Sequence, residues 1–271
     1  MKLWFAAAMT IAFCVAVSAD TIPAQGGNIE LTPMAHAHVQ IEYGGKVIHI
    51  DPSNQTNFAN AKPADIVIVT DVHGDHMDPP SIDRVRKQGT VYVAPEALAD
   101  KFPGTTTVIK NGETKTVSGV QVQAVAAYNL QRGPQPGQFY HAKGRGNGYI
   151  LTLGGKRIYF SGDSECVPEI KALTNIDVAF VAMNLPFTET PQEAADCVKA
   201  FKPKMVYAYH YRQQGLEPVD KNMQEFAAAL KGTPGIEVKT ANFYPAPPAP
   251  TGRPGAPGGR QGAPAGPGRG Q

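Results

Sequence analysis

The feature that most constrains the fold is an apolar run, Ala64–Val69, followed directly by the polar stretch Thr70–Asp78. A short run rich in β-branched residues is typical of a buried strand. Within the polar stretch, residues 71–76 carry four side chains that can bind a metal or move a proton: Asp71, His73, Asp75 and His76. Such residues at the carboxyl end of a buried strand are typical of an α/β active site. The alternative is a solvated turn that happens to be rich in Asp and His. We reject it because other predicted strands end in the same way.

Three further polar side chains fit this pattern. Asp163 directly follows a predicted hairpin, and His210 directly follows a later predicted strand. His141 lies in a long segment, residues 129–146, that has no clear helix or strand pattern. A connection of this length in a compact domain is more often functional than not. We therefore expect these side chains to converge with the polar stretch.

Strand and helix signals alternate along the body of the chain. Predicted strands cover residues 37–43, 46–50, 64–70, 90–93, 119–128, 149–153, 156–161, 176–183, 204–209 and 235–240. Predicted helices begin after Asp78, at Glu96, after the capping box at Thr190, and near Met223. The pair Asn111-Gly112 predicts one more hairpin. The two halves resemble each other, so we predict an α/β (α+β) domain built as a four-layer αββα sandwich.

The two ends of the chain differ from its body. Residues 1–19 are typical of a secretory signal peptide, with Lys2, an apolar stretch and a small-residue cleavage site before Asp20. That stretch is short for a membrane span, and Phe13 before Cys14 argues against a lipoprotein. We therefore expect a periplasmic or secreted protein with no transmembrane segment after cleavage. Its folded domain is predicted to cover residues 20–244.

Residues 245–271 are almost wholly Pro, Gly, Ala, Arg and Gln, which predicts a disordered tail. The whole chain has 25 basic and 23 acidic residues. Without Lys2 and the three tail arginines, 21 basic residues remain and the formal net charge is −2. The charge therefore gives no indication of a nucleic-acid-binding domain. We expect the tail to be an inert solvated extension, and the alternative is a weak contact of its arginines with the cell envelope.

Two cysteines remain after signal cleavage, Cys166 and Cys197. In an oxidising compartment they can form a disulfide, or they can be two separate, partly buried thiols. Their spacing does not decide between these alternatives, because a disulfide needs the two Cα atoms close together in the fold.

Imidazole and carboxylate groups are the expected ligands of Zn²⁺ and similar ions. In a tight loop, the spacing of His73, Asp75 and His76 allows neighbouring side chains to point at two different ions. Two ions about 3.5–4 Å apart can hold both the attacking and the leaving oxygen of a hydrolysed bond. Asp163, at the end of a strand, is well placed to bridge two ions.

These residues carry a family resemblance. Asp71-Val72-His73-Gly74-Asp75-His76 resembles the His-x-His-x-Asp-His signature of the metallo-β-lactamase-fold hydrolases. The later His, Gly-Asp and strand-end His follow in the order of that superfamily. Other segments resemble the branch that includes ascorbate-phosphate lactonase-like proteins: His36-Ala37, Ile50-Asp51-Pro52, Ala127-Tyr128-Asn129, His141-Ala142-Lys143-Gly144 and Tyr159-Phe160-Ser161-Gly162-Asp163. The resemblance covers about residues 29–243.

The resemblance implies a metal site with two ions. One ion is expected on His73 and His141, with Asp71 as a third ligand. The other is expected on Asp75, His76 and His210, and Asp163 bridges the two. The sequence departs from the superfamily at Asp71, where the motif usually has histidine. A carboxylate binds the same ions, so zinc is the expected metal, with manganese or iron as alternatives.

The implied activity is that of an exported metal-dependent hydrolase. A hydroxide generated at the metals would attack an ester, lactone or phosphoester bond of a small molecule, and Asp75 would orient it. The alternative is a non-catalytic or single-metal binding protein of the cell envelope.

Around the ions we expect His36, Asn129 and Lys143 to contact the ligands or the substrate. His36 and His38 are predicted on one face of a strand, from which His36 can also compensate for Asp71. Asp51 is predicted to fix the turn before Pro52. His38 and His49 are predicted to be ordinary strand residues.

Overall fold

The computed structural model describes residues 19–212 and 220–244. The predicted signal peptide, apart from Ala19, and the predicted tail at 245–271 lie outside the described residues. Both stay predictions, as does the division of the chain into domains.

The described residues form two seven-stranded sheets in which the strands lie side by side in chain order. The first sheet contains β1 (Asp20–Ala24), β2 (Gly27–Ala35), β3 (His38–Tyr43), β4 (Lys46–Ile50), β5 (Ala64–Ile68), β6 (Arg86–Ala94) and β7 (Thr106–Val108). The second contains β8 (Thr114–Val117), β9 (Val120–Ala127), β10 (Gly146–Leu153), β11 (Lys156–Phe160), β12 (Val178–Ala182), β13 (Met205–Tyr209) and β14 (Glu237–Lys239).

The two sheets share one pairing pattern. In each sheet the first four strands pair antiparallel and the last four pair parallel. The carboxyl ends of parallel strands meet at one edge of a sheet, which is where side chains from separate segments can come together. The predicted similarity of the two halves is therefore confirmed.

Within residues 19–212 and 220–244, four α-helices cover the sheets: α1 (Pro79–Val85), α2 (Pro168–Lys171), α3 (Pro191–Phe201) and α4 (Lys221–Leu230). Asp78 caps α1 by accepting a hydrogen bond from the backbone N of Ser81. The predicted capping box of α3 is present between Thr190 and Glu193. The helix predicted from Glu96 is only a 3₁₀ turn, Glu96–Leu98. Among the described residues no helix has the length and apolar character needed to cross a membrane.

The core lies between the sheets. One apolar cluster combines Ile48 and Ile66 of the first sheet with Val122 and Tyr149 of the second, and these side chains are fully or almost fully buried. A smaller cluster, which includes Val67 and Ile82, packs α1 onto the outer face of the first sheet. The chain is therefore an αββα sandwich, as predicted, because each sheet has one face on the other and one face under helices.

One predicted hairpin is wrong, and two strands are missing from the prediction. Asn111-Gly112 forms a tight turn but not a hairpin, because β7 and β8 on either side of it belong to different sheets. The hairpin is one turn later, where Val117 pairs with Val120. Strands β1 and β2 were also not predicted. Each contains a proline, Pro23 or Pro33, which weakens a strand signal.

The two cysteines are paired. Cys166 and Cys197 form a disulfide with a Cα–Cα distance of 5.7 Å, which joins the segment after β11 to α3. Of the two alternatives that the sequence leaves open, the structure shows the disulfide.

Candidate metal centre

The seven predicted ligands lie together, at the carboxyl ends of β5, β11 and β13 and in the long loop of residues 129–146. They are Asp71, His73, Asp75, His76, His141, Asp163 and His210. Together with His36 they form three groups, two of which share His210, and within each group the candidate ligand atoms lie within 4.8 Å of one another. The groups are Asp71–His73–His141, His76–Asp163–His210 and His36–Asp75–His210. The structure thus brings together residues up to 139 positions apart in the chain, as the strand-end pattern predicts. Their assignment as ligands stays a prediction.

Asp163 belongs to the second group and also contacts His141 of the first group. Its Oδ2 is 3.1 Å from Nε2 of His141 and 3.4 Å from Nε2 of His76, and its Oδ1 is 3.6 Å from Nε2 of His210. Burial opposes ionisation of this carboxyl, but the positive charges of His210 and His76 hold its pKa well below the ordinary value. The buried carboxylate is therefore ionised, with both oxygens directed at imidazole nitrogens.

The turn before Asp163 depends on glycine. Gly162 has a φ of +59°, and a Cβ at this position would lie 2.8 Å from the backbone oxygen of Asn147. The hydroxyl of Tyr209 accepts a hydrogen bond from the Gly162 backbone N at 2.9 Å. Only a residue without a side chain fits here, so the chain delivers Asp163 to the cluster at a fixed position.

Asn129 fixes the orientation of His141. Its Oδ1 accepts a hydrogen bond from the His141 backbone N at 2.7 Å, which identifies this atom as the oxygen, and lies 2.9 Å from Nδ1 of the same residue. Nδ1 must then carry the proton, and Nε2 is left as a free lone pair facing Asp163. Asn129 thus lies beside His141, a candidate ligand, and its role toward a metal or a substrate stays a prediction.

Asp51 does the same for His76. Its carboxylate accepts hydrogen bonds from the backbone N of Thr70 at 2.8 Å, from the Thr70 hydroxyl at 2.6 Å and from Nδ1 of His76 at 2.9 Å. Nδ1 of His76 therefore keeps its proton toward Asp51, and Nε2, directed at Asp163, is the nitrogen that a metal ion would take in place of a proton. The prediction that Asp51 only fixes the turn before Pro52 is incomplete, because its buried carboxylate reaches past that turn to the cluster.

His36 lies with Asp75 and not with Asp71. It has a φ of +57° and lies in the turn between β2 and β3. The prediction that His36 and His38 share one face of a strand is therefore wrong. Nε2 of His36 is 3.0 Å from Oδ2 of Asp75, and the His36 ring lies 3.8 Å from that of His210. Because it joins the group of Asp75 and His210, it does not compensate for Asp71.

Tyr244 determines which nitrogen of His36 carries the proton. The Tyr244 hydroxyl accepts a hydrogen bond from the backbone N of Arg212 and lies 2.8 Å from Nδ1 of His36. It is then free to donate its own proton to Nδ1, so that Nε2–H of His36 donates to Asp75. The ionised form of Asp75 is further stabilised by His210, and its pKa is well below the ordinary value although burial opposes this.

Asp71 faces two positively charged or donating groups. Its Oδ2 is 2.8 Å from Nδ1 of His73 and 3.2 Å from a terminal nitrogen of Arg145. Burial opposes ionisation, but the hydrogen bond from His73 lowers the pKa of Asp71 to about 2. Gly146 leaves room for the other oxygen, because a Cβ there would lie 2.9 Å from Oδ1. The carboxylate is thus held in the cluster, beside His73 and His141.

The remaining candidates lie elsewhere. Lys143 donates to Glu169 at 2.6 Å and its Nζ lies over the ring of Tyr128, outside the cluster. Among the described contacts it has none to a candidate ligand, so its predicted role toward a substrate stays untested. His38 and His49 are buried strand residues, as predicted, and hydrogen-bond to each other at 2.8 Å away from the cluster.

The donor set fits a divalent metal. Among the described residues, Nε2 of His76, Nε2 of His141 and Oδ1 of Asp163 are buried and have no hydrogen-bond partner. Buried polar atoms are nearly always paired, so several orphaned ones at a single point need a ligand. Imidazole nitrogens and carboxylate oxygens are the donors that zinc, manganese and iron accept.

Sequence reasoning missed three residues that shape this cluster. Asp51 carries the same strand-end signal as Asp163, since it directly follows β4, and that signal could have found it. Arg145 stands between two glycines in the long loop, a position that suggests a fixed backbone but no role for the side chain. Nothing near Tyr244 in the sequence indicates that its hydroxyl reaches His36.

The fold and the site together define a class: an αββα sandwich with a buried His/Asp cluster at the strand ends of both sheets. A family model described as the β-lactamase superfamily domain matches residues 30–210. The chain belongs to the metallo-β-lactamase superfamily.

Individual proteins that are similar to this chain are metal-dependent hydrolases by name. The chain is 31% identical over 206 residues to a "UPF0173 metal-dependent hydrolase" of Thermococcus onnurineus, a match that covers 71% of this chain and 88% of the relative. A candidate metal-dependent hydrolase of Parabacteroides distasonis, known from its crystal structure, is 35% identical with a TM-score of 0.74. That likeness covers 83% of this chain and 98% of the other. The metallo hydrolase Igni18 of Ignicoccus hospitalis shares the fold, with a TM-score of 0.64 at 19% identity over 78% of this chain and 94% of that one.

Proposed function

We propose that the protein is an exported hydrolase that uses two divalent metal ions to cleave an ester, lactone or phosphoester of a small molecule. Zinc is the metal that we expect. The observation that carries this proposal is the position of the Asp163 carboxylate between His141 and His76, whose buried Nε2 atoms have no hydrogen-bond partner. Relatives at about 30% identity are named metal-dependent hydrolases, which supports the same class.

The two positions would be held by different residues. His73, His141 and Asp71 would hold one ion, His76, His210 and Asp75 the other, and Asp163 would contact both. When bound, the ions supply a water of lowered pKa and positive charge beside the reacting bond.

Asp75 is the group of this chain that is best placed to act on that water. Its side chain is 39% exposed, whereas those of His210 and Asp163 are buried, so Asp75 faces the open side of the cluster. It is ionised, and His36 and His210 fix its orientation through one oxygen, Oδ2. Its carboxylate can therefore accept a hydrogen bond from the attacking water and hold it in one direction.

The rim beside His141 supports an organic substrate. The exposed large apolar side chains among the described residues are Leu130, Phe139 and Phe187, exposed by 49%, 44% and 39%. All three lie on the two loops that Asn129 joins, since its side chain contacts His141 and donates to the backbone oxygen of Phe187 at 2.8 Å. Exposed apolar groups that cluster at a site usually mark a ligand surface. An alkyl or aryl group of the substrate would lie on this rim.

Export is supported by the signal-like sequence of residues 1–19 and by the Cys166–Cys197 disulfide, which persists in oxidising compartments. A second candidate function is a single-metal binding protein. The observation in its favour is Arg145, whose positive charge lies against one of the two metal positions.

The test is metal analysis of the purified mature protein, with turnover measured on a panel of phosphodiester, lactone, thioester and β-lactam substrates. We expect two ions per chain and turnover of at least one ester-like substrate. The variant Asp163→Ala should lose metal and activity together. One tight ion with no turnover on any substrate would support the binding protein, and full metal content and activity in the variant would refute the proposed bridge.

A further inference from the structure

The two proposed metal positions are surrounded by different charges. The position on Asp71, His73 and His141 has one carboxylate of its own, and Arg145 lies 3.2 Å from Oδ2 of that carboxylate. The position on Asp75, His76 and His210 also has one carboxylate of its own. Its further neighbour is His36, whose Nδ1 accepts a hydrogen bond from the Tyr244 hydroxyl while its Nε2–H donates to Asp75, so this ring adds no positive charge. Asp163 is common to both positions.

The backbone of Arg145 is fixed in the loop, because its N donates a hydrogen bond to the backbone oxygen of Ala142 at 3.1 Å. Arg145 follows Gly144, which has a φ of +86°, and precedes Gly146, whose backbone packs against Oδ1 of Asp71. Its Nε is buried and has no partner among the described residues, and its side chain is 27% exposed. A guanidinium cannot lose its proton in a protein, so this charge is permanent.

We infer that Arg145 makes the two metal positions unequal: the position of Asp75, His76 and His210 fills first, and the position of Asp71 binds the second ion much more weakly. The inference rests on the proposed metal site. The net charge around each position determines the order of filling, because Arg145 cancels the negative charge that Asp71 would offer to a cation.

The opposite effect, positioning of Asp71 by Arg145, is smaller. The carboxylate also accepts a hydrogen bond from the His73 backbone N at 3.3 Å and is enclosed by Gly146 on its other side. It therefore keeps its place without the guanidinium. A full positive charge one hydrogen bond from a ligand oxygen weakens the binding of a divalent ion by roughly tenfold even at the dielectric constant of water.

The test measures Zn²⁺ binding to metal-free mature protein by competition with a chromophoric chelator, without any activity assay. The wild-type chain should show two steps whose dissociation constants differ by at least roughly tenfold. Arg145→Gln should tighten the weaker step by roughly tenfold and leave the tighter step within about twofold. Arg145→Lys, which keeps the charge, should retain the unequal steps. Lys204→Gln removes an exposed charge far from the cluster, and it should change neither step.

Three results would overturn the inference: two equal steps in the wild-type chain, an unchanged weaker step in Arg145→Gln, or a weaker step lost in both Arg145 variants. The last would show that Arg145 positions Asp71. Circular dichroism of each variant checks that it folds. If the steps behave as expected while no variant turns over any substrate, the inference stands and the proposed hydrolase activity fails.

Discussion

Replacing Asp51 by asparagine tests how the cluster is organised. Asp51 is fully buried and accepts three hydrogen bonds, two from Thr70 and one from Nδ1 of His76. Asparagine keeps one acceptor oxygen, but its NH₂ group replaces the other oxygen and faces hydrogen-bond donors. The lost charge-assisted bond to His76 should cost about 2 kcal/mol of the free energy of unfolding.

The same substitution should weaken metal binding. Without Asp51, Nδ1 of His76 no longer has to carry the proton, and the tautomer protonated at Nε2 cannot bind an ion. Loss of a partner that orients a ligand typically costs 10- to 100-fold in metal affinity. We therefore expect Zn²⁺ to dissociate at least roughly tenfold more readily from Asp51→Asn in a chelator competition assay.

A matched control is Asp65→Asn in the same sheet. Asp65 accepts a hydrogen bond from the backbone N of Val47 at 2.8 Å and pairs with Lys87, with no described contact to the cluster. This variant should bind Zn²⁺ as the wild type does. The reasoning is refuted if Asp51→Asn binds Zn²⁺ within twofold of the wild type, or if both variants lose affinity equally.

Three other predictions concern separate parts of the molecule. Burial lowers the pKa of His49 to about 4, so the unfolded chain takes up this proton first as the pH falls. The contribution of His49 to stability should therefore fall by about 3 kcal/mol between pH 6.5 and 4, and His49→Gln should remove this part of the pH dependence in urea unfolding, whereas the same pH dependence in the variant would contradict it. Replacing Cys166 and Cys197 by serine should cost about 3–4 kcal/mol in the same assay, given their separation of 31 residues, and a loss below about 1 kcal/mol would contradict this. Phe187→Ser should lower kcat/KM for an octanoyl ester by roughly tenfold and leave an acetyl ester unchanged, and equal losses for both would exclude an apolar rim.

The sequence predicts the part of this molecule that depends on local pattern. The buried strand before Asp71, the hairpin before Asp163 and the strand before His210 each have the composition of their element, and each ends in a polar side chain. Parallel strands of one sheet place their carboxyl ends together, so the pattern predicts that Asp163 and His210 converge, whereas the approach of Asp71 depends on how the first sheet packs against the second.

What the sequence does not predict depends on contacts between distant segments. Asn111-Gly112 specifies a chain reversal, but whether the flanking strands pair is decided by the two sheets that they join. The hydrogen bond from Tyr244 to His36 spans 208 residues, and no local pattern encodes it. Arg145 is similar, because its ion pair with Asp71 forms only when the long loop folds back over the end of β5.

Locating the bound ions is the most direct test of the proposed metal centre. Crystals of the mature protein loaded with Zn²⁺ and measured at the zinc absorption edge would show each ion as an anomalous peak. We predict two peaks on either side of Asp163, one contacting His73 and His141 and the other contacting His76 and His210, with the second peak retained at the lower Zn²⁺ concentration. Zinc bound only at other places on the protein, with these histidines still free, would contradict the proposed metal centre.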